Sequence, residues 1–132
     1  MTRKAVWIGA ACAAASALTI AACGGSDSPT GPSGGGGTSA ATITIGSDGR
    51  VSPSSVTVPL GSRVTFVNNH NQPHEMSSDP HPEHTQCPEI TVGSLQPGQS
   101  RQTQNLNTAR TCGYHDHNRE TDTGLQGTIR IQ

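Results

Sequence analysis

Residues 56–69 read Val-Thr-Val-Pro-Leu-Gly-Ser-Arg-Val-Thr-Phe-Val-Asn-Asn. Val56, Val58 and Leu60 alternate around Thr57 and Pro59 and stop at Gly61. Arg63-Val64-Thr65-Phe66-Val67 is rich in branched side chains and stops at Asn68-Asn69. Branched residues at period two fit a pleated, half-buried strand, and Gly or Asn ends it. The same texture continues on both sides. Thr42-Ile43-Thr44-Ile45 alternates upstream and stops at Gly46 and Asp48-Gly49. Downstream, Leu95 to Gln99 carries a turn, and Arg101 to Leu106 is polar but extended in character. Thr111 to His115 and Gly127 to Ile131 read as late strands. No segment sustains a 3.6-residue period, so a long helix is not expected. The expectation is an all-β fold, a small β-sandwich over residues 41–132. Residues 68–94 hold few strand formers and are expected to form one long loop, the kind of segment that carries function in a small domain.

The chain has 132 residues, with eight Lys+Arg against nine Asp+Glu and a formal net charge of −1. That length fits one small domain and excludes a multidomain enzyme. The balanced charge gives no field for nucleic acid. The one Gly-x-Ser-x-Gly match, Gly31 to Gly35, falls in a Gly/Ser/Pro run without the strand-then-helix pattern that serine catalysis needs, and the only Lys, Lys4, lies far from any phosphate-binding loop.

Residues 1–22 carry Arg3 and Lys4, then a mostly apolar stretch from Ala5 to Ile20, then Ala21-Ala22 before Cys23. This resembles a bacterial lipoprotein signal, with Ile20 where that pattern usually has Leu. The resemblance implies cleavage before Cys23, lipid on Cys23, and a domain in the cell envelope facing periplasm or exterior. Residues 24–40 are Gly, Ser, Pro, Thr, Asp and Ala only, so 23–40 is read as a lipidated cysteine with a flexible tether. Six basic residues against nine acidic ones would remain after cleavage. Cys87 and Cys112 would be the remaining pair, and an even pair in an oxidising compartment points to a disulfide.

All six His lie within residues 70–117. His70, His74, His81 and His84 sit in the expected loop, among Glu75, Met76, Asp79 and Glu83. His115-Asp116-His117 follows Tyr114. On a strand, His115 and His117 would share a face, with Asp116 on the other. Imidazole suits copper, zinc, nickel and iron, and a nearby carboxylate can ligate or orient a ring.

Residues 51–76 together with 109–131 resemble a cupredoxin, the small Greek-key copper β-sandwich. The matching run is Val58 to Phe66, then Asn68, then Pro73-His74, and the final strand begins Gly127-Thr128-Ile129. The resemblance implies copper as cofactor and His74 as first ligand. Two placements follow for the second half. In one, Cys112-Gly113-Tyr114-His115 is the family's Cys-x-x-His, with Cys112 as thiolate ligand and Met76 a candidate axial group. In the other, Thr111 to Asp116 matches the amicyanin-like run, Asp116 replaces the thiolate, and Cys112 is free to bridge Cys87. The second is preferred, because Tyr114 falls in the aromatic slot. The implied site is His74 with His115 or His117, and Asp116. His74→Ala is expected to abolish most copper binding, and His70→Ala or His84→Ala little of it.

The expected role is copper carriage or buffering, or electron transfer, without catalysis on an organic substrate. The expected partners are the membrane, through the lipid, and a redox or copper-handling protein; the domain is read as a monomer. Two alternatives are a copper/zinc enzyme of superoxide dismutase type and a metal-free sandwich module.

Overall fold

The run that opens the sequence reading forms two strands in different sheets. Residues 39–132 are described by the computed structural model, and the expected signal, Cys23 and residues 24–38 lie outside them. Strand β3 (Ser55–Val58) ends before Pro59, which has no N–H to continue a ladder. Gly61 turns the chain at φ +77°, and its N–H donates to the Leu106 carbonyl at 2.9 Å. Strand β4 (Arg63–Asn68) then buries Val64, Phe66 and Asn68 and leaves the alternate residues half-buried.

β1 (Ser39–Ile45) lies parallel to β4 and antiparallel to β2 (Val51–Ser52), and β7 (Ser100–Gln102) covers the far side of β4. The first sheet therefore runs β2-β1-β4-β7. The second runs β3-β9-β8-β5-β6, with β5 at His74–Ser78, β6 at Gly93–Leu95, β8 at Arg110–Asp116 and β9 at Gly127–Ile131. The all-β sandwich expected from sequence is the observed fold. β1 begins at Ser39, inside the stretch read as tether.

The core sits between the sheets. Ile43, Ile45, Val64 and Phe66 from the first meet Tyr114, Ile129 and Ile131 from the second. Phe66 meets Tyr114 edge-on, with ring centroids 5.3 Å apart. Each such side chain contributes roughly 1.5–3 kcal/mol by burial. Cys87 and Cys112 are bonded, with Cα atoms 5.9 Å apart, and tie the segment after β5 to β8.

The expected loop over 68–94 is wrong in its middle. His74-Glu75-Met76-Ser77-Ser78 is strand β5, paired to β8 on one side and β6 on the other. None of these five residues is β-branched, so local propensity gives no sign of a strand. Pairing on both sides supplies it. The loop that remains runs from Asp79 to Val92 and includes a short 3-10 turn at Pro88–Ile90. Among the described residues, no helix is long and apolar enough to cross a membrane.

Candidate metal centre

The register of β5 against β8 decides where the histidines go. Met76 lies opposite Asp116, Ser77 opposite His115, and Ser78 opposite Tyr114. Side chains alternate across a sheet, so His74, Met76, Tyr114 and Asp116 point to the core face. His115 points to the outer face with Ser77. The six His therefore form two groups on opposite faces of one sheet.

The inner group is a closed charge network. His74 is 1% exposed and Asp116 0%. His74 Nδ1 donates to Asp116 Oδ2 at 2.7 Å, and its Nε2 lies 2.9 Å from His70 Nδ1. Asp116 Oδ1 accepts the Glu75 and Asn118 N–H groups, each at 3.1 Å. Arg119 Nη1 donates to Asp116 Oδ2 at 3.1 Å and sits 3.2 Å from His74 Nδ1. A carboxylate has about four acceptor positions, and here four donors fill them.

The outer group is open. The segment after β5 folds back over the outer face of β8, where Asp79 N–H donates to the Gly113 carbonyl at 3.1 Å and Gly113 N–H to Gln86 Oε1 at 2.9 Å. A Cβ on Gly113 would stand 1.9 Å from Asp79 Oδ2, so only glycine lets the carboxylate cross there. Asp79 Oδ1 accepts from His115 Nδ1 at 2.6 Å. His115 is 3% exposed, and its Nε2 is buried without a hydrogen-bond partner. His84 Nδ1 donates to the Ser78 carbonyl at 2.7 Å, and its Nε2 lies 2.8 Å from His117 Nδ1. His81, exposed, stacks on His117 with centroids 4.8 Å apart. His84 has φ +54°, a left-handed backbone that costs roughly 1–2 kcal/mol for a residue with a Cβ.

These contacts set the protonation of the rings. A carbonyl or carboxylate accepts only, so His84 and His115 carry their protons on Nδ1. In the neutral rings both Nε2 atoms then present lone pairs. This is how metal-bound imidazoles are oriented: one nitrogen toward the ion, the other donating to a carboxylate or carbonyl. One nitrogen each of His81, His115 and His117 lies within 4.8 Å of the others. An ion bonded at about 2.0–2.1 Å needs these nitrogens to draw closer, and the exposed His81 has room to move. The donor set is all imidazole, which suits copper, zinc, nickel and iron.

The structure places the expected ligand residues in two separate groups. It brings His115 and His117 together but joins them to His81 and His84. His74 stays on the opposite face, and Asp116 is its hydrogen-bond partner with no acceptor position left over. Cys112 is in the disulfide and cannot be a thiolate ligand. Met76 is fully buried in the core. Sequence reasoning placed His81 and His84 in the expected loop and left them out of the implied ligand set. The available signal was Asp79-Pro80-His81-Pro82-Glu83-His84, two His and two carboxylates in six residues.

Neither a family model nor a curated protein gives a significant match to the chain. Solved structures do. A purple cupredoxin from Nitrosopumilus maritimus is 19% identical, with a TM-score of 0.57 over 70% of this chain and 99% of that one. Oxidised plastocyanin from Dryopteris crassirhizoma is 18% identical, with a TM-score of 0.56 over 69% and 99%. A Cu(I) amicyanin mutant is 16% identical, with a TM-score of 0.52 over 70% and 82%. At these identities the likeness concerns architecture: the described residues form a β-sandwich of the cupredoxin fold.

Proposed function

We propose that this chain binds copper and carries or buffers it as Cu(II), with His81, His84, His115 and His117 as the seat. The observation that carries this is His115 Nε2, a lone pair buried without a partner, on a ring flanked by the His81 and His84 rings and with a His117 nitrogen within 4.8 Å of one of its own. A buried acceptor without a partner is unfavourable, and a bound cation removes the deficit. A metal-free sandwich module has no use for that arrangement. Copper rather than another imidazole-binding metal is supported by the fold, since the similar amicyanin is a Cu(I) form. Copper also stands highest among the first-row divalent ions in affinity for nitrogen sites.

Carriage is favoured over electron transfer because the site offers no thiolate. Blue-copper sites use two His and a Cys. Imidazole nitrogens alone favour Cu(II). By its resemblance to a lipoprotein signal, the N-terminus would put the domain on a lipid at Cys23, on a bacterial membrane facing periplasm or exterior. A tether there would let it meet a copper-handling or redox partner.

The test is a competition titration of the full chain with Cu(II) at neutral pH, followed by its visible spectrum. One bound equivalent with a weak d–d spectrum is expected. No binding against the competitor would overturn the reading. An intense thiolate charge-transfer band would overturn the thiolate-free site. Superoxide consumption no faster than that of free copper is expected as well.

A further inference from the structure

We propose that Arg119 is a specificity-determining residue: its guanidinium takes the place of a cation beside His74 and Asp116 and confines copper to the outer face. The exclusion stands on the inner pocket alone, and the confinement rests on the reading above. Arg119 is not placed there by chance packing. Asp116 precedes a 3-10 turn, His117–Arg119, and caps it by accepting from Asn118 N–H. The turn returns residue i+3 over the same carboxylate, which is Arg119. Arg119 Nη2 is held on the far side by Gln72 Oε1 at 2.6 Å, and Nη1 lies 3.5 Å from the Pro73 carbonyl. The head group is therefore gripped from β8, from the turn and from the segment before β5.

The charges explain the exclusion. Asp116 is 0% exposed and needs a positive neighbour, and Arg119 supplies one that cannot be deprotonated. His74 Nδ1 spends its proton on the same carboxylate. A divalent ion entering here would have to displace the guanidinium or lie against it, with no free oxygen on Asp116 to receive it. Without the guanidinium, the pocket would hold one buried carboxylate oxygen and His74 Nδ1 facing an emptied cation position, and an entering divalent ion would displace the Nδ1 proton to solvent. These two atoms are an N/O pair of the kind that divalent copper and zinc accept.

The experiment titrates Cu(II) alone into the full chain and three variants, and follows the ring signals of His74 and His115 by NMR, since Cu(II) broadens nearby nuclei. The wild-type chain is expected to take one equivalent, broadening His115 and sparing His74. Arg119→Met is expected to take two, the second broadening His74. Arg119→Lys, which keeps the charge, should return to one, and Arg119→Met with His74→Ala should also take one. A folded Arg119→Met that takes no second equivalent overturns the proposal. So does a wild-type chain whose first equivalent broadens His74. That wild-type result decides the matter even if Arg119→Met fails to fold. Should the wild-type chain bind nothing while Arg119→Met binds one equivalent through His74, the copper reading above fails and the exclusion by Arg119 holds.

Discussion

Replacing Asp79 by alanine removes a hydrogen-bond acceptor from the outer histidines without removing a proposed ligand. Asp79 Oδ1 receives His115 Nδ1–H at 2.6 Å, which fixes the ring's tautomer and aims Nε2 at its neighbours. Loss of such a supporting partner lowers metal affinity by about 10–100-fold. Asp79 is 47% exposed, so water screens much of its charge. Water can also replace part of the hydrogen bond. The lower end is therefore expected, about tenfold or ~1.4 kcal/mol. The segment itself should stay in place, because the Asp79 backbone bonds to Gly113 and Gln86 do not involve the side chain. Asp79→Asn keeps an acceptor and should lose less than Asp79→Ala. The assay is Cu(II) competition against a chromophoric chelator at fixed neutral pH, with urea unfolding as a control. An Asp79→Ala protein of unchanged stability and unchanged Cu(II) affinity would refute the reasoning, because His115 would then not be a ligand.

Further outcomes follow from the same geometry. His84→Ala or His117→Ala should weaken Cu(II) binding at least tenfold, whereas His74→Ala should spare it in the same titration. His74→Ala should instead lower unfolding stability in urea by about 1–3 kcal/mol, since a donor is taken from a buried carboxylate that keeps Arg119. Changing Cys87 and Cys112 together to Ala opens a bridge of sequence separation 25 and should lower stability by about 3.5 kcal/mol by the loop-entropy relation, read by urea unfolding. It should also weaken Cu(II) binding, because Cys87 anchors the end of the segment that bears His81 and His84. Burial holds the Tyr114 phenol well above its ordinary value of 10.0. The folded chain therefore keeps a proton that the unfolded chain releases, so stability should fall as pH rises above about 10. Tyr114→Phe should flatten that fall, as measured by unfolding across alkaline pH.

The strands with branched residues were legible in the sequence. Thr42 to Ile45, Arg63 to Val67 and Gly127 to Ile131 alternate because one side of each faces the core. β5 was not legible, since His-Glu-Met-Ser-Ser owes its strand state to neighbours distant in sequence. That omission carried through to the site. Period two places Asp116 and His115 on opposite faces from sequence alone. Which face His74 shares depends on the register Met76 to Asp116, and no local pattern encodes it. His81 and His84 lie in a Pro-rich segment with no periodicity, where an imidazole looks like any solvated side chain. Arg119 carries no motif, and its role emerges only when the turn at His117–Arg119 folds it over Asp116.

Crystals of the Cu(II)-loaded full chain, measured at the copper absorption edge, would locate the ion directly. The anomalous peak should lie among the rings of His81, His84, His115 and His117, on the side of the sheet away from the core. A peak beside His74 and Asp116, or none at full loading, would contradict the central assignment.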